Sequence, residues 1–460
     1  MNQQLVFDFD LIKKYDQAGP RYTSYPTALQ FDEGFDRNRY QQIAGQSNSA
    51  GNGLSLYFHI PFCDTVCFYC GCNKIATKDR SKAQPYLDLV DKELALQSEL
   101  FDRSRVVEQL HWGGGTPTFI NHQQMTDLMN STRKHFTLAD DEEGEFSIEI
   151  DPREASADTV KLLRDIGFNR MSLGVQDFDV AVQKAVNRLQ TEEQTFEVLN
   201  TAREQGFRSV SVDLIYGLPL QSVASFEQTL DKVLIESPDR LSIFNYAHMP
   251  KMFKPQRRIN EQELPSAQEK LDILTMTADR LQAAGYVYIG MDHFAKPDDE
   301  LAIAQREGTL YRNFQGYSTH AECDLIGLGV TSIGMVGASY SQNYKDMESY
   351  HQSLSANQLA VFRGLELTLD DQIRRDIITQ LICNFRLDFQ FISDRWSLDF
   401  AASFAEELKQ IQQMQDDGLL TVDDSQIVVM PKGRFLIRNI CMVFDAYMRQ
   451  HTQGRFSKVI

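Results

Sequence analysis

Short β-like runs alternate with amphipathic, helix-like stretches over the first half of the chain, and this alternation limits the fold more than any single motif. The candidate strands are residues 54–59, 107–112, 146–150, 170–175, 209–214 and 240–246. Between them lie helix-like stretches at 84–101, 123–136, 155–166, 180–205 and 222–235. Strand and helix repeating at roughly 30–40 residues read as βαβ units on a parallel sheet. Six such units predict an α/β fold with parallel strands. No short repeat of the solenoid kind is visible.

The strand ends carry chemistry. At or just past them sit Gly113-Gly-Gly-Thr-Pro, Glu149, Gln176, Asp213 and Asn245-Tyr-Ala. Parallel strands of a barrel converge on one mouth at these ends, where active sites are built. One acidic residue there could simply cap the next helix; five polar or glycine ends in succession point to a shared site. The consecutive glycines permit positive φ and close backbone approach. Leu325 to Ser339 is too short and glycine-rich to span a bilayer and reads as a tight loop. Its Gly327-Leu-Gly329-Val-Thr-Ser332 stretch fails the dinucleotide fingerprint, because Ser332 stands at the third glycine position.

After the first candidate strand comes Cys63-Asp-Thr-Val-Cys67-Phe-Tyr-Cys70. A structural zinc site is closed by four protein ligands, and an ordinary four-iron cluster by four thiolates. Three thiolates would leave one iron open to a reactant. The alternative is a zinc knuckle completed by Cys72 or His59, but no second cysteine pair follows at finger spacing. Only one residue separates Cys72 from Cys70, which argues against a fourth ligand. Cys323, Cys383 and Cys441 read as buried small apolar residues.

Seven cysteines with three clustered do not make a disulfide framework, and iron ligation needs a reducing compartment. With 42% hydrophobic residues, no secretory signal and no membrane span, the expectation is a cytoplasmic enzyme. Lys and Arg total 46 against 64 Asp and Glu, a net charge of −18. That disfavours nucleic acid, whose binding rests on cations at phosphates.

C-x3-C-x2-C with an aromatic before the third cysteine, and GGGTP directly after a strand, resemble the radical S-adenosylmethionine (SAM) enzymes. Longer matches resemble the oxygen-independent coproporphyrinogen III oxidase (dehydrogenase) family. They include Tyr57-Phe-His-Ile-Pro-Phe-Cys63, Cys70-Gly-Cys72-Asn-Lys-Ile, Ile148-Glu149-Ile-Asp-Pro-Arg-Glu, Asp213-Leu-Ile-Tyr-Gly-Leu-Pro and Met291-Asp-His-Phe. The resemblance runs from Gly19-Pro-Arg-Tyr-Thr-Ser-Tyr-Pro to the C-terminus, and it implies that the six units form an incomplete (β/α)6 radical SAM barrel with parallel strands.

It implies oxidative decarboxylation of two propionates of coproporphyrinogen III to vinyl groups, giving protoporphyrinogen IX in haem synthesis. A propionate β-carbon has no acidic hydrogen, so a 5′-deoxyadenosyl radical from SAM would remove it. The implied cofactors are a [4Fe-4S] cluster on Cys63, Cys67 and Cys70, and SAM, two molecules in the family. Around SAM the resemblance places Tyr57, Tyr69, Gly114, Gly115, Thr116, Glu149, Gln176, Arg188, Asp213, Ala247 and Ile333. Glu149 and Asp213 suit ribose hydroxyls or ammonium groups, and Arg188 a carboxylate. Tyr57, Glu149 and Arg21 are the candidate catalytic residues. Further expectations are a small flavodoxin- or ferredoxin-like electron donor and a monomer. A haem chaperone of the same superfamily is the alternative, but such proteins generally lack the Pro-Arg-Tyr-Thr-Ser-Tyr-Pro segment and the cysteine at position 72.

The expected organisation is an N-terminal segment (1–50) contributing to the substrate site, a radical SAM partial barrel (51–365) and a small helical domain (366–460). In the last, helices are expected at 370–383, 399–415 and 433–449, with a wing-like hairpin at 419–422 and 426–429. Arg21 lies between two prolines and two tyrosines. It is the candidate cation for a substrate propionate, with the tyrosines packing on the macrocycle and the segment folding over the barrel mouth.

Overall fold

The computed structural model describes residues 5–140 and 142–448. Grouped by space, the chain forms two units. One comprises Phe31–Ile273 and Glu322–Glu366; the other takes residues up to Gln30, Leu274–Ala321 and the chain from Leu367 onwards.

In the first unit the six expected strands are β1 (Leu54–Ile60), β2 (Val106–Gly114), β3 (Glu145–Ile150), β4 (Arg170–Gln176), β5 (Ser209–Tyr216) and β6 (Arg240–Asn245). They pair in parallel in sequence order. The interleaved helices are α1 (Ala83–Ser98), α2 (His122–His135), α3 (Ala157–Asp165), α4 (Val180–Ala185), α5 (Glu192–Glu204) and α6 (Val223–Glu236). The expected helix over 180–205 is therefore broken. Asn187 adopts φ 56° and Arg188 lies in the gap, so the break delivers a buried arginine to the sheet.

The expected loop at 325–339 is instead mostly sheet. β7 (Asp324–Leu328) pairs in parallel with β1. It leads into β8 (Ile333–Val336), β9 (Ser339–Asn343) and β10 (Val361–Glu366), which pair antiparallel. The glycines serve close strand packing rather than a loop. A Cβ on Gly327 would come within 2.8 Å of the Ile333 backbone, and one on Gly334 within 2.9 Å of the Leu325 carbonyl.

The barrel strands alternate with period two. Leu56, Phe58, Leu110, Trp112, Phe146, Ile148, Leu173, Val175, Val212 and Leu214 are buried on the helix side. Tyr57, His111, Ser147, Glu149, Ser172, Gly174, Gln176, Ser211 and Asp213 take the alternate positions and retain exposure. A barrel interior meant only for packing is filled by large aliphatic residues. Here the inward row is small or polar and keeps solvent access, which suits a ligand better than a packed interior.

In the second unit, helices Leu369–Asn384, Ala405–Asp416 and Ile437–Val443 accompany a three-stranded antiparallel sheet, Arg386–Asp388, Gln426–Val429 and Leu420–Val422. The wing-like hairpin is present at 420–429. The expected helix at 399–415 is interrupted at Phe404, and the last expected helix is shorter than 433–449, whose end lies outside the described residues.

Candidate active site

The cysteine loop leaves β1 through Pro61-Phe62 and is pinned at once to the glycine turn that ends β2. Gly115 N–H donates to the Ile60 carbonyl (2.8 Å) and Thr116 N–H to the Phe62 carbonyl (2.7 Å). Gly114 has φ 115°, and a Cβ there would lie 2.7 Å from the His59 ring. A Cβ on Gly115 would lie 2.6 Å from the Phe62 carbonyl. Only glycine tolerates both the backbone angle and the approach.

Cys67 is buried, while Cys63 and Cys70 are half-buried. Thr116 Oγ1 lies 3.5 Å from the Cys63 sulfur. Arg188 Nη1 and Arg153 Nη2 lie 3.6 and 3.7 Å from the Cys67 sulfur. The Cys72 N–H donates to the Cys70 sulfur at 3.4 Å. Burial pushes the Cys63 thiol up to about 11; the side chain of Cys72, its backbone N–H and Lys74 favour the Cys70 thiolate. A thiol coordinated to metal is deprotonated outright. Cationic and N–H donors around the sulfurs suit a cluster whose thiolates carry surplus negative charge.

Asp151 joins the two arginines. Its Oδ2 accepts from Arg153 Nη2 at 2.7 Å and Arg188 Nη1 at 2.9 Å. Burial alone would raise this carboxyl, but the adjacent guanidiniums hold it below the usual range. The expected carboxylate clamp, Arg188, thus spends its fork on Asp151, Cys67 and the Gly174 carbonyl. Its Nε is buried without a partner among the described residues, as is Asn245 Oδ1 at the end of β6. Orphaned buried polar atoms cost about 1–3 kcal/mol each. Their presence at the mouth fits a polar ligand such as SAM.

Glu149 accepts from Gly114 N–H at 3.1 Å, and His111 Nε2 lies 3.5 Å away. Half of its side-chain surface is open (49%), yet it stands on the floor of a concave mouth where surrounding protein opposes ionisation. The His111 and Gly114 contacts outweigh that and lower its carboxyl. A carboxylate only accepts, so His111 donates through Nε2 and its Nδ1 accepts from Ser147 Oγ at 2.6 Å. Likewise His59 Nε2 faces the Asn73 carbonyl at 3.1 Å, which leaves Nδ1 to accept from Tyr57 Oη at 3.2 Å. The Tyr57 ring stacks on His111 with centroids 5.8 Å apart. Burial and the Glu149 charge keep its phenol neutral.

Asp213 accepts from Ser172 Oγ at 2.9 Å. Burial pushes its carboxyl up to about 6 against the lowering effect of Ser242 and Ser172. Gln176 closes β4 at φ 68°, an uncommon angle for a non-glycine residue; such strain collects at ligand sites. At one rim, Ile333 lies against Gly327, the register partner of Tyr57. At the other, Gln256 Nε2 donates to both the Tyr69 carbonyl (2.8 Å) and the Ala247 carbonyl (3.3 Å). Every residue expected around the cluster and SAM lies in this unit. Sequence reasoning assigned no role to Asp151, Arg153, His111 or Ser147, although the first two stand in the Ile148–Glu154 motif it quotes.

Arg21 belongs to the other unit, where it pairs with Asp292. Tyr22 and Tyr25 are buried, at 3% and 2% exposure. Tyr22 Oη donates to Asp445 at 2.9 Å, and Tyr25 Oη accepts from Ala446 N–H at 3.1 Å. The tyrosines expected to pack on the macrocycle are thus core side chains. Arg438 pins this stretch to the same core by donating to the Gly19 and Pro20 carbonyls.

A barrel mouth carrying three cysteines beside a glycine cradle and a charged floor defines a radical SAM site, and residues 57–233 match the Radical SAM superfamily. Residues 367–436 match the HemN C-terminal domain. The chain is 53% identical over 460 residues to the oxygen-independent coproporphyrinogen III oxidase of Pseudomonas aeruginosa, covering 100% of both. It is 52% identical over 459 residues to that of Escherichia coli K12 (100% of this chain, 99% of the relative). Against the relative from Synechocystis it is 46% identical over 459 residues, 99% and 98% of the two chains. A solved structure of the Escherichia coli coproporphyrinogen III oxidase, described as a radical SAM enzyme, superposes with a TM-score of 0.93 at 52% identity. It covers 97% of this chain and 100% of its own. The chain belongs to the oxygen-independent coproporphyrinogen III oxidase family.

Proposed function

We propose that this protein converts coproporphyrinogen III to protoporphyrinogen IX by oxidative decarboxylation of two propionates, without dioxygen. The observation that carries this reading is end-to-end similarity to enzymes of that name, coupled to an intact three-cysteine mouth. Cys63, Cys67 and Cys70 would hold the [4Fe-4S] cluster with three ligands, one short of the usual four, so that an iron would be open to SAM. Cluster and SAM together supply a one-electron route to removing hydrogen from a carbon that no side-chain base can deprotonate.

The chain's own residues bind, orient and insulate. The Gly113–Thr116 turn receives the methionine part of SAM, with Glu149 as the anionic partner of its ammonium group. Asp213, Gln176 and the serine-lined interior face the nucleoside. Arg153 and Arg188 neutralise charge at the Cys67 corner. Tyr57 stays neutral and rigid between His59 and His111, a donor fixed beside the reacting region. A second SAM would lie beside the first, the expected contact residues being shared between the two.

The finer assignments rest on chemistry and placement. The electron donor is a small flavodoxin- or ferredoxin-like protein. The working form is a monomer. Cysteine thiolates on iron favour the cytoplasm, and no helix among the described residues is long and apolar enough to cross a membrane. The N-terminal segment contributes to the substrate site. Anaerobic incubation with SAM, reductant and coproporphyrinogen, followed by oxidation, should give protoporphyrin fluorescence. Its absence with a fully loaded cluster would overturn the reading.

A further inference from the structure

One stretch inverts the charge of this acidic chain beside the cysteine loop. Residues 250–258, Pro-Lys-Met-Phe-Lys-Pro-Gln-Arg-Arg, carry four cations and no carboxylate, in a protein of net charge −18. Lys251, Lys254, Arg257 and Arg258 are all exposed, and none is ion-paired among the described residues. Met252, among them, is 62% exposed. Nearby carboxylates are Glu261, whose Oε1 lies 3.1 Å from His248 Nε2, and Glu263.

The stretch is fixed to the cysteine loop. Gln256, 2% exposed, donates to the Tyr69 carbonyl, and its Oε1 accepts from Met249 N–H at 2.6 Å. Phe253 packs on Gly71, whose added Cβ would meet its ring at 3.0 Å. The Arg258 guanidinium lies 5.2 Å from the centroid of the Phe68 ring. Phe68 and Tyr69 pack in turn on Val182, Val186, Leu218, Tyr246 and Ile259. Lys74 adds a cation on the loop itself, its Nζ 3.3 Å from the Cys70 carbonyl. The loop's outer residues, Gly71 to Asn73, are exposed.

We infer that residues 250–258, with the exposed outer edge of the cysteine loop, form the docking surface for an acidic one-electron carrier protein, Met252 making the apolar contact and the surrounding cations steering it. This rests on the radical SAM reading and names where its reductant binds. In each encounter the carrier's reduced cofactor loses one electron and the cluster gains one; no atoms are exchanged. Against a net charge of −18, a local run of cations orients an acidic partner as well as attracting it.

The test uses the cluster-loaded protein and its triple variant Lys251→Glu, Lys254→Glu, Arg257→Glu. Cluster bleaching is followed by stopped-flow absorbance with two reductants, a reduced acidic flavodoxin and reduced methyl viologen, a small cation. The flavodoxin rate should fall at least tenfold in the variant, and in the wild type should drop as salt rises. The viologen rate should stay unchanged or rise. Titration of cluster-free protein with the flavodoxin should show the same loss of affinity. Equal flavodoxin rates in both proteins, a salt-independent rate, or parallel loss with viologen would each overturn the proposal. Viologen-driven protoporphyrin formation by the variant tests the decarboxylation reading separately.

Discussion

Arg188 Nη1 is shared between the Asp151 carboxylate at 2.9 Å and the Cys67 sulfur at 3.6 Å. Asp151 also holds Arg153, whose Nη2 reaches the same sulfur at 3.7 Å. Reducing the cluster adds negative charge, and hydrogen bonds to cluster sulfurs tune its potential. Arg153→Gln should therefore make the potential more negative, and Asp151→Asn, which frees both guanidiniums, more positive. Shifts of about 30–60 mV are expected, a three- to tenfold change in reduced fraction. Arg153→Lys should stay near wild type. Redox titration followed by electron paramagnetic resonance reads all three, and two shifts of the same sign would refute the assignment.

Cys63→Ser, Cys67→Ser and Cys70→Ser should each abolish the brown chromophore and SAM cleavage, whereas Cys72→Ser should keep its iron. Iron and sulfide analysis of anaerobically purified variants decides it. Complete iron loss from Cys72→Ser would sink the three-thiolate assignment.

Removing a charged hydrogen-bond partner costs roughly 1.5–3 kcal/mol. Glu149→Ala should then bind SAM about ten- to hundredfold more weakly with a full cluster, as measured by equilibrium dialysis. Unchanged SAM affinity would place this carboxylate outside the site.

Asp213 has a pH signature. A carboxyl raised from 3.8 to about 6 on folding destabilises the ligand-free protein fully above pH 6, and the penalty fades as pH falls from 6 towards 4. Asp213→Asn should raise the melting temperature of ligand-free protein at pH 8, do so less at pH 5, and weaken SAM binding at both. A stabilisation independent of pH would mean that desolvation of the charge is not the cause.

Arg21→Ala should keep the cluster and slow SAM cleavage but fail to make protoporphyrinogen. Because Arg21 is paired with Asp292, Asp292→Asn is the control. It should retain product formation if Arg21 serves the substrate. Equal losses in product and melting temperature would assign the pair to folding alone.

The barrel was legible because two periods coincide: polar and apolar residues alternate within each strand, and whole units recur with their helices. Cys63, Cys67 and Cys70 were legible because their spacing is local. Arg153 went unassigned because the sulfur it reaches, on Cys67, is more than eighty positions away, and Asp151 because its partner Arg188 is brought to it only by the fold. The sheet through Gly327 and Gly334 was misread as a loop because glycine in a strand signals close backbone approach, which looks like a turn until the neighbouring strand is known. Arg21 drew notice from its stiff surroundings, but that stiffness arises from the burial of Tyr22 and Tyr25.

Gly115 N–H and Thr116 N–H bind the carbonyls of Ile60 and Phe62, the last residues before the first cysteine. The turn proposed to cradle SAM and the loop proposed to grip iron are thereby welded edge to edge. On that reading the span between metal and cofactor is set by peptide geometry, and the backbone itself is the ruler.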